Sequence, residues 1–143
     1  MVEKDYYFYL SFENSICVDY VTEKFFNALN KTVVPIALGG ADYAKSAGAP
    51  RKSFINAYKD FRDPASLARY LQKLMDDPEM YSSYFWWKGY YNVDTSSQST
   101  AEKSFCEACE RLHGGTDHQV YNDMEEWWVH KSKCKHVRIE SKS

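Results

Sequence analysis

Two short apolar runs on either side of a helical pattern constrain the fold of this chain more than any other feature. Tyr7 to Phe12 is an aromatic run of strand length, and Thr32 to Leu38 is a second apolar run. Between them, Tyr20 to Asn30 carries apolar residues at helical spacing, and Asp19 is suited to cap the start of that helix. A strand, a helix and a strand within about thirty residues predict a βαβ unit with parallel strands.

Proline and aspartate mark the elements that follow. Pro35 lies inside the second apolar run, and because proline donates no ladder hydrogen bond, we expect an edge strand or a position near the strand's start. Ser53 to Asn56 predicts a further short strand. Asp63-Pro64 and Asp77-Pro78 each combine an N-cap with a proline at the first helical position, which predicts two consecutive helices after the sheet.

A third helix is predicted beyond a polar connector at residues 94–100. It covers Ala101 to His113, and Gly114-Gly115 would end it. Its apolar residues are expected to face inward, namely Phe105, Ala108, Cys109 and Leu112. With 143 residues, the chain fits one domain. We predict an α/β lobe over residues 1–113 with a helical C-terminal extension, followed by a basic irregular tail over residues 114–143.

The charge balance excludes two classes of partner. Lys and Arg number 18 against 20 Asp and Glu, so no extended basic surface for nucleic acid or an anionic membrane is expected.

The first residues lack the apolar core of a signal peptide, and no window of about 18 apolar residues occurs. We expect either a soluble protein or one whose targeting region lies outside this stretch.

A polar constellation follows the first predicted strand. Ligands of open α/β sheets bind at the carboxyl ends of the strands, where a helix N-terminus offers unpaired N–H groups. On the predicted helix, one polar face carries four residues, Tyr20, Glu23, Lys24 and Asn27. We expect Lys24 to neutralise a diphosphate, Glu23 to hold sugar hydroxyls and Asn14 to add a fixed amide, a set that suits a sugar nucleotide.

Plainer interpretations of these residues stay open. A glutamate and a lysine on a helix are typical of a solvated surface, and Asn14 can close its own turn. The sequence contains neither G-x-G-x-x-G nor a P-loop, which argues against dinucleotide-binding and nucleotide triphosphatase classes.

The segment from Phe12 to Lys24 also resembles a known motif. It reads Phe-Glu-Asn-Ser, four residues, then Asp-Tyr-Val-Thr-Glu-Lys, and it is similar to the donor-site motif of the α1,3/4-fucosyltransferases. The resemblance covers roughly residues 5–113 and continues in order through Val34–Gly39, Asp42-Tyr43, Pro50, Ser53–Ile55, Asp60-Phe61, Leu67–Leu71 and Tyr84–Lys88. The Phe-Trp-Trp-Lys stretch resembles the invertebrate and core-type branch, the glycoprotein 3-α-L-fucosyltransferases.

This resemblance implies a GT-B architecture of two Rossmann-like lobes, with this chain as the C-terminal lobe that binds GDP-fucose. It implies contacts with the diphosphate and the fucose for Asn14, Tyr20, Glu23 and Lys24, and charge-stabilising catalytic roles for Glu23 and Lys24. The implied reaction is inverting α1,3 transfer of L-fucose to a GlcNAc hydroxyl of a glycoprotein N-glycan. The resemblance implies no required cofactor besides the donor substrate, and no metal-binding residue is assigned; assistance by a divalent cation stays open, although nothing in the sequence indicates it.

The resemblance also defines the missing partners. The family's acceptor-binding N-terminal lobe, its proposed catalytic base and an arginine that clamps the diphosphate belong upstream of Met1, so we expect the chain alone to be inactive. The implied location is the Golgi lumen, as part of a single-pass type II membrane protein whose anchor is not in this chain.

Four cysteines, an even count, suit a secretory compartment. Cys106-x-x-Cys109 and His113 place three potential zinc ligands on one helical side, and a fourth could come from His118, Cys134 or His136. The spacing matches no standard zinc finger. The family resemblance implies instead that such cysteines form disulfides, in some members to the upstream lobe.

Two alternatives to the favoured function stay open. One keeps the family and changes the acceptor to an outer, Lewis-type lactosamine. The other is a non-catalytic domain that binds a nucleotide sugar or is stabilised by zinc for interaction with a partner.

Overall fold

The computed structural model describes residues 2–95, 97–115 and 120–135. Three parallel strands form a sheet in the order β1-β2-β3, with β1 at Phe8–Phe12, β2 at Val34–Leu38 and β3 at Ile55–Asn56. The helices are α1 (Val2–Asp5), α2 (Glu23–Leu29), α3 (Tyr43–Ser46), α4 (Pro64–Asp76), α5 (Pro78–Ser82), a 3-10 helix (Ser83–Gly89), α6 (Ser97–Gly114) and a π-helical turn (Glu126–His130). The predicted α/β fold with a parallel sheet is confirmed.

Pro35 lies in the central strand of this sheet, at its second residue. Val34 donates its N–H to the carbonyl of Tyr7 on the β1 side, so the backbone of the next residue faces β3. The pairing with β3 begins only at Ile36, opposite Ile55. The ring nitrogen of Pro35 therefore lies below the first rung of the β2–β3 ladder, and no sheet hydrogen bond is lost.

Hydrophobic side chains cover both faces of the sheet. Because successive residues of β2 point to opposite sides, Ala37 packs on one face with a cluster that includes Phe25 and Tyr43. Ile36 packs on the other face with a cluster that includes Leu74 of α4. The sheet is thus the middle layer of three, with α2 and α3 on one side and α4 on the other.

The two Asp-Pro signals begin helices as predicted. Asp63 accepts the N–H of Ser66 at 2.7 Å, and Pro64 is the first residue of α4. Asp77 accepts the N–H of Met80 at 2.9 Å, and α5 starts directly after it. Both caps satisfy N–H groups that have no partner within their own helix.

The predicted start of α2 is wrong by three residues. Asp19 is not the cap, because its backbone is left-handed with φ 58° and its carboxylate accepts the hydroxyl of Ser46 at 2.5 Å. The N-cap is Thr22, and α2 begins at Glu23. Asp19 and Ser46 are 27 residues apart in the chain, so this hydrogen bond is a tertiary contact that the sequence around Asp19 does not predict.

The third predicted helix exists, but its expected inward face is wrong. It begins at Ser97, four residues before the predicted start, and runs through Gly114. Phe105 is 74% exposed and Leu112 is 83% exposed, and Ala108 and Cys109 are exposed as well. Among the described residues nothing packs over this face.

In the part of the chain that the structure describes, no helix is both long and apolar enough to cross a membrane.

Candidate functional site

The loop after β1 is closed at its base by one carboxylate. Glu13 directly follows β1, is 8% exposed, and donates its N–H to the carbonyl of Leu38 at the end of β2. Its carboxylate accepts the N–H of Thr22 at 2.9 Å and the hydroxyl of Thr22 at 2.6 Å. Residues 13–22 therefore form a closed loop from the end of β1 to the start of α2. We name it the donor loop, after the donor-site motif that this segment resembles.

Glu13 was not among the predicted site residues, although it lies inside the motif that carried the resemblance. The sequence feature that could have identified it is an acidic residue directly after a strand, nine residues before Thr22 at the start of the next helix. A carboxylate near the first turn of a helix is favoured by the partial positive charge there. Because Glu13 is buried and each of its carboxylate oxygens accepts a hydrogen bond from Thr22, its role in this structure is to position the loop.

The four predicted site residues all lie in or beside this loop, at the carboxyl end of β1. Asn14 and Glu23 are exposed, and Tyr20 and Lys24 are half-buried. The predicted single helix face does not hold for Tyr20, because that residue precedes α2. None of the four side chains makes a hydrogen bond or an ion pair with another described residue. An amide, a phenol, a carboxylate and an ammonium group are thus available to a ligand on one short segment.

The first turn of α2 is attached to the sheet beneath it. Ser11 is fully buried in β1, and its hydroxyl donates to the carbonyl of Lys24 at 3.3 Å. Phe25 is fully buried and stands at 4.6 Å, centroid to centroid, from the ring of Tyr43. The backbone that carries Glu23 and Lys24 is therefore fixed on a packed layer, which reduces the cost of ordering a bound ligand.

Two glycines after β2 allow the donor loop to lie close to the neighbouring strand. A Cβ on Gly40 would stand 2.6 Å from the carbonyl oxygen of Cys17. A Cβ on Gly39 would collide with the hydroxyl of Tyr43 and would lie 3.1 Å from Cγ of Glu13. A side chain at Gly40 would therefore displace the loop backbone, and one at Gly39 would displace the side chain of Tyr43 or Glu13.

The Tyr43 hydroxyl is buried beneath this contact. It has no hydrogen-bond partner among the described residues, and the side chain is 1% exposed. Burial raises the pKa of Tyr43 to about 12, and the nearby negative charge of Glu13 contributes. Tyr43 is therefore neutral at physiological pH.

The C-terminal segment, residues 120–135, is joined to the donor loop. Cys17 and Cys134 form a disulfide, Val18 donates to the carbonyl of Ser132 at 2.7 Å, and Lys135 donates to the carbonyl of Ile16 at 2.8 Å. Four cysteines allow three full internal pairings, and the sequence does not choose between them. Only the structure shows that the segment returns to the loop.

This disulfide also decides the zinc hypothesis for Cys134, which has no thiol left to bind a metal. Cys106 and Cys109 are free and exposed on α6, and His113 is exposed on the same helix. Among the described residues, no three His, Cys, Asp or Glu side chains are grouped closely enough to hold a metal ion. His118 and His136 lie outside the described residues.

Comparison with known proteins identifies the family. The family model for the C-terminal domain of glycosyltransferase family 10 (fucosyltransferase) matches residues 1–127. The chain is 43% identical over 136 residues to alpha-(1,3)-fucosyltransferase C of Drosophila melanogaster, covering 93% of this chain and 30% of that protein. It is 40% identical over 138 residues to glycoprotein 3-alpha-L-fucosyltransferase A of the same fly, covering 94% and 26%.

A human relative, 4-galactosyl-N-acetylglucosaminide 3-alpha-L-fucosyltransferase FUT5, is 39% identical over 125 residues, covering 87% of this chain and 32% of that protein. The chain thus spans about a third or less of the length of these curated relatives. The match includes β1, the donor loop, α2 and both following strands. Because the family model matches most of the chain, including this βα junction, the chain belongs to glycosyltransferase family 10, the fucosyltransferases, and corresponds to their C-terminal domain.

Proposed function

We propose that this chain is the donor-binding lobe of a GT-B enzyme that transfers L-fucose from GDP-fucose to a GlcNAc hydroxyl of a glycoprotein N-glycan, in α1,3 linkage. The observation that carries the proposal is the donor loop with the first turn of α2, where four side chains without a polar partner among the described residues lie at the carboxyl end of a parallel sheet. The fly relatives named for α1,3 and glycoprotein fucosyl transfer support this reaction and acceptor.

Each free side chain has a chemical task in this proposal. Lys24 neutralises charge on the diphosphate, which grows as the sugar leaves. Glu23 accepts hydrogen bonds from hydroxyls of the fucose. It also stabilises the positive charge that develops on the fucose ring in an oxocarbenium-like transition state. Asn14 and Tyr20 add hydrogen bonds that fix the orientation of the donor.

The remainder of the reaction requires groups that this chain does not supply. In this proposal an acceptor-binding lobe provides the carboxylate that deprotonates the acceptor hydroxyl, so that inversion occurs by one displacement. The chain alone then binds GDP-fucose without transferring fucose. The Cys17–Cys134 disulfide is typical of an oxidising compartment, which supports a site of action in the Golgi lumen, within a single-pass type II membrane protein.

Titration calorimetry on the 143-residue chain tests the proposal. GDP and GDP-fucose should both bind to a sample whose cooperative thermal unfolding shows that it is folded, and UDP should bind more weakly. No heat from GDP in that folded sample would remove the donor-site assignment. Metal analysis of the same sample tests the zinc-stabilised alternative, because a stoichiometric zinc content would favour it.

The acceptor is tested in an enzyme that joins this chain to an acceptor lobe of the family. Linkage analysis of the product should find fucose on the core GlcNAc of an N-glycan. Fucose on an outer lactosamine would favour the activity for which the human relative is named.

A further inference from the structure

A cavity of about 590 Å³ lies between the donor loop and the C-terminal segment. Tyr20 and Asp19 line it from the loop, and Trp127, Trp128 and Lys131 line it from the π-helical turn and the residue that follows. The volume is within the range of about 300 to 1,000 Å³ that small-ligand sites occupy. The sequence alone offered no interpretation of the two adjacent tryptophans.

The aromatic wall of this cavity is partly open to solvent. Trp128 is 69% exposed, and its ring centroid is 5.5 Å from that of Trp127. The ring of Tyr121 also contacts Trp127, with ring centroids 4.4 Å apart. Trp127 is therefore held by ring contacts, and Trp128 presents a large apolar surface beside it.

The walls of the cavity are joined covalently and by hydrogen bonds. The Cys17–Cys134 disulfide links them, and the bonds from Val18 to Ser132 and from Lys135 to Ile16 flank it. A cavity held in this way does not need to be assembled by its ligand, which lowers the entropic cost of binding.

The lining favours a neutral saccharide. A pyranose ring has an apolar face of C–H groups, which packs on an aromatic ring, and hydroxyls around its edge, which need hydrogen-bond partners. The tryptophan rings supply the apolar surface for the C–H face. The carboxylate of Asp19 and the ammonium group of Lys131 supply hydrogen-bond partners for the hydroxyls. Charges of both signs at the rim do not select for a strongly anionic or cationic ligand.

The cavity shares Tyr20 with the proposed donor site. We propose that it forms this chain's part of the acceptor site, with a GlcNAc residue of the glycan stacked on Trp128 beside the donor loop, while the acceptor-binding lobe supplies the rest of that site. This inference rests on the proposed function, because it identifies the cavity as the acceptor side of the fucose donor. The C-terminal segment then contributes to acceptor recognition, and Trp128 determines acceptor affinity.

Tryptophan fluorescence during titration with chitobiose, the GlcNAc disaccharide, tests the inference. The wild-type chain should show a saturable change, and Trp128→Ala should weaken binding about tenfold or more through loss of the stacked surface. Trp128→Phe keeps an aromatic ring and should be intermediate. Trp86→Phe is the matched control, because Trp86 is a partly exposed tryptophan outside the cavity, and it should bind as the wild type does.

Calorimetry with GDP on the same samples separates the two proposals. GDP binding that Trp128→Ala leaves unchanged, together with weakened chitobiose binding, supports both. GDP binding without any saturable response to chitobiose at tens of millimolar overturns the acceptor inference alone, as does a Trp128→Ala chain that binds chitobiose like the wild type. A chain that binds chitobiose but not GDP overturns the donor assignment and leaves a saccharide site.

Discussion

The carboxylate of Glu13 accepts both the backbone N–H and the side-chain hydroxyl of Thr22, at 2.9 and 2.6 Å. These two bonds close the donor loop. Since Glu13 is buried, Thr22→Val should lower the free energy of unfolding by about 2 kcal/mol, because one carboxylate oxygen loses its donor. Thr22→Ser keeps the hydroxyl and should cost less than about 1 kcal/mol. Urea denaturation of the two variants makes the comparison.

Equal midpoints for Thr22→Val and Thr22→Ser would show that the hydroxyl bond contributes nothing to stability. A double-mutant cycle with Glu13→Ala isolates the pair. Its interaction energy should be well above zero, because both side chains act through the same two hydrogen bonds.

The Cys17–Cys134 disulfide closes a stretch with a sequence separation of 117 residues. In the chain-entropy description such a cross-link stabilises the fold by about 5 kcal/mol, so Cys17→Ser with Cys134→Ser should strongly lower the melting temperature. The control is Cys106→Ser with Cys109→Ser, which removes two free, exposed thiols and should leave melting unchanged. Thermal unfolding with and without reductant provides the measurement.

Thiol titration of the denatured, unreduced chain should detect the two free cysteines of α6. A count of four, or a wild-type melting temperature that reductant does not change, would contradict the pairing.

Gly40 is required by the close contact between the turn that follows β2 and the donor loop. Gly40→Ala places a Cβ 2.6 Å from the carbonyl oxygen of Cys17, so the loop must move, at a cost of roughly 1 to 3 kcal/mol. Gly89→Ala is the matched control, since a Cβ there meets no atom within 4 Å. Denaturation should separate the two variants, and GDP affinity should fall for Gly40→Ala only. A Gly40→Ala chain as stable as Gly89→Ala would show that the loop is not tightly placed.

The Tyr43 hydroxyl gives a prediction about alkaline pH. The pKa of Tyr43 is about 12 in the folded chain against about 10 in an unfolded one, so the unfolded chain loses this proton first and the free energy of unfolding falls as the pH rises from about 10 towards 12. Tyr43→Phe should therefore weaken the loss of stability between pH 10 and 12. At pH 7 it should be neutral or stabilising by about 1 kcal/mol, because the hydroxyl has no partner among the described residues.

Denaturation of Tyr43→Phe across this pH range checks the assignment. A variant much less stable than wild type at pH 7 would show that the hydroxyl makes a bond that stabilises the fold.

The sequence predicted the elements whose signals are local. The Asp-Pro pairs placed α4 and α5 correctly because a cap and a proline act within one helical turn. The parallel pairing of β1 and β2 followed from one strand–helix–strand pattern. The four candidate side chains lie together because they are neighbours along the chain, at a junction that the same pattern defined.

Interactions between distant residues were not predictable in this way. Asp19 accepts a hydrogen bond from Ser46 instead of capping α2, and Cys17 forms a disulfide with Cys134, near the other end of the chain. Both depend on where the chain returns after the sheet is built. The apolar residues of α6 indicated burial, yet Phe105 and Leu112 are exposed, because a periodic pattern does not specify which surface covers it.

The most direct test of the donor-site assignment compares GDP affinity among three forms of the chain by calorimetry. Lys24→Ala removes the free ammonium group assigned to the diphosphate, and Lys31→Ala removes an exposed lysine just beyond the end of α2. We expect wild type and Lys31→Ala to bind GDP equally, and Lys24→Ala to bind at least about tenfold more weakly, the scale of one charge-assisted contact. Equal binding by all three forms would contradict the assignment of this loop as the donor site.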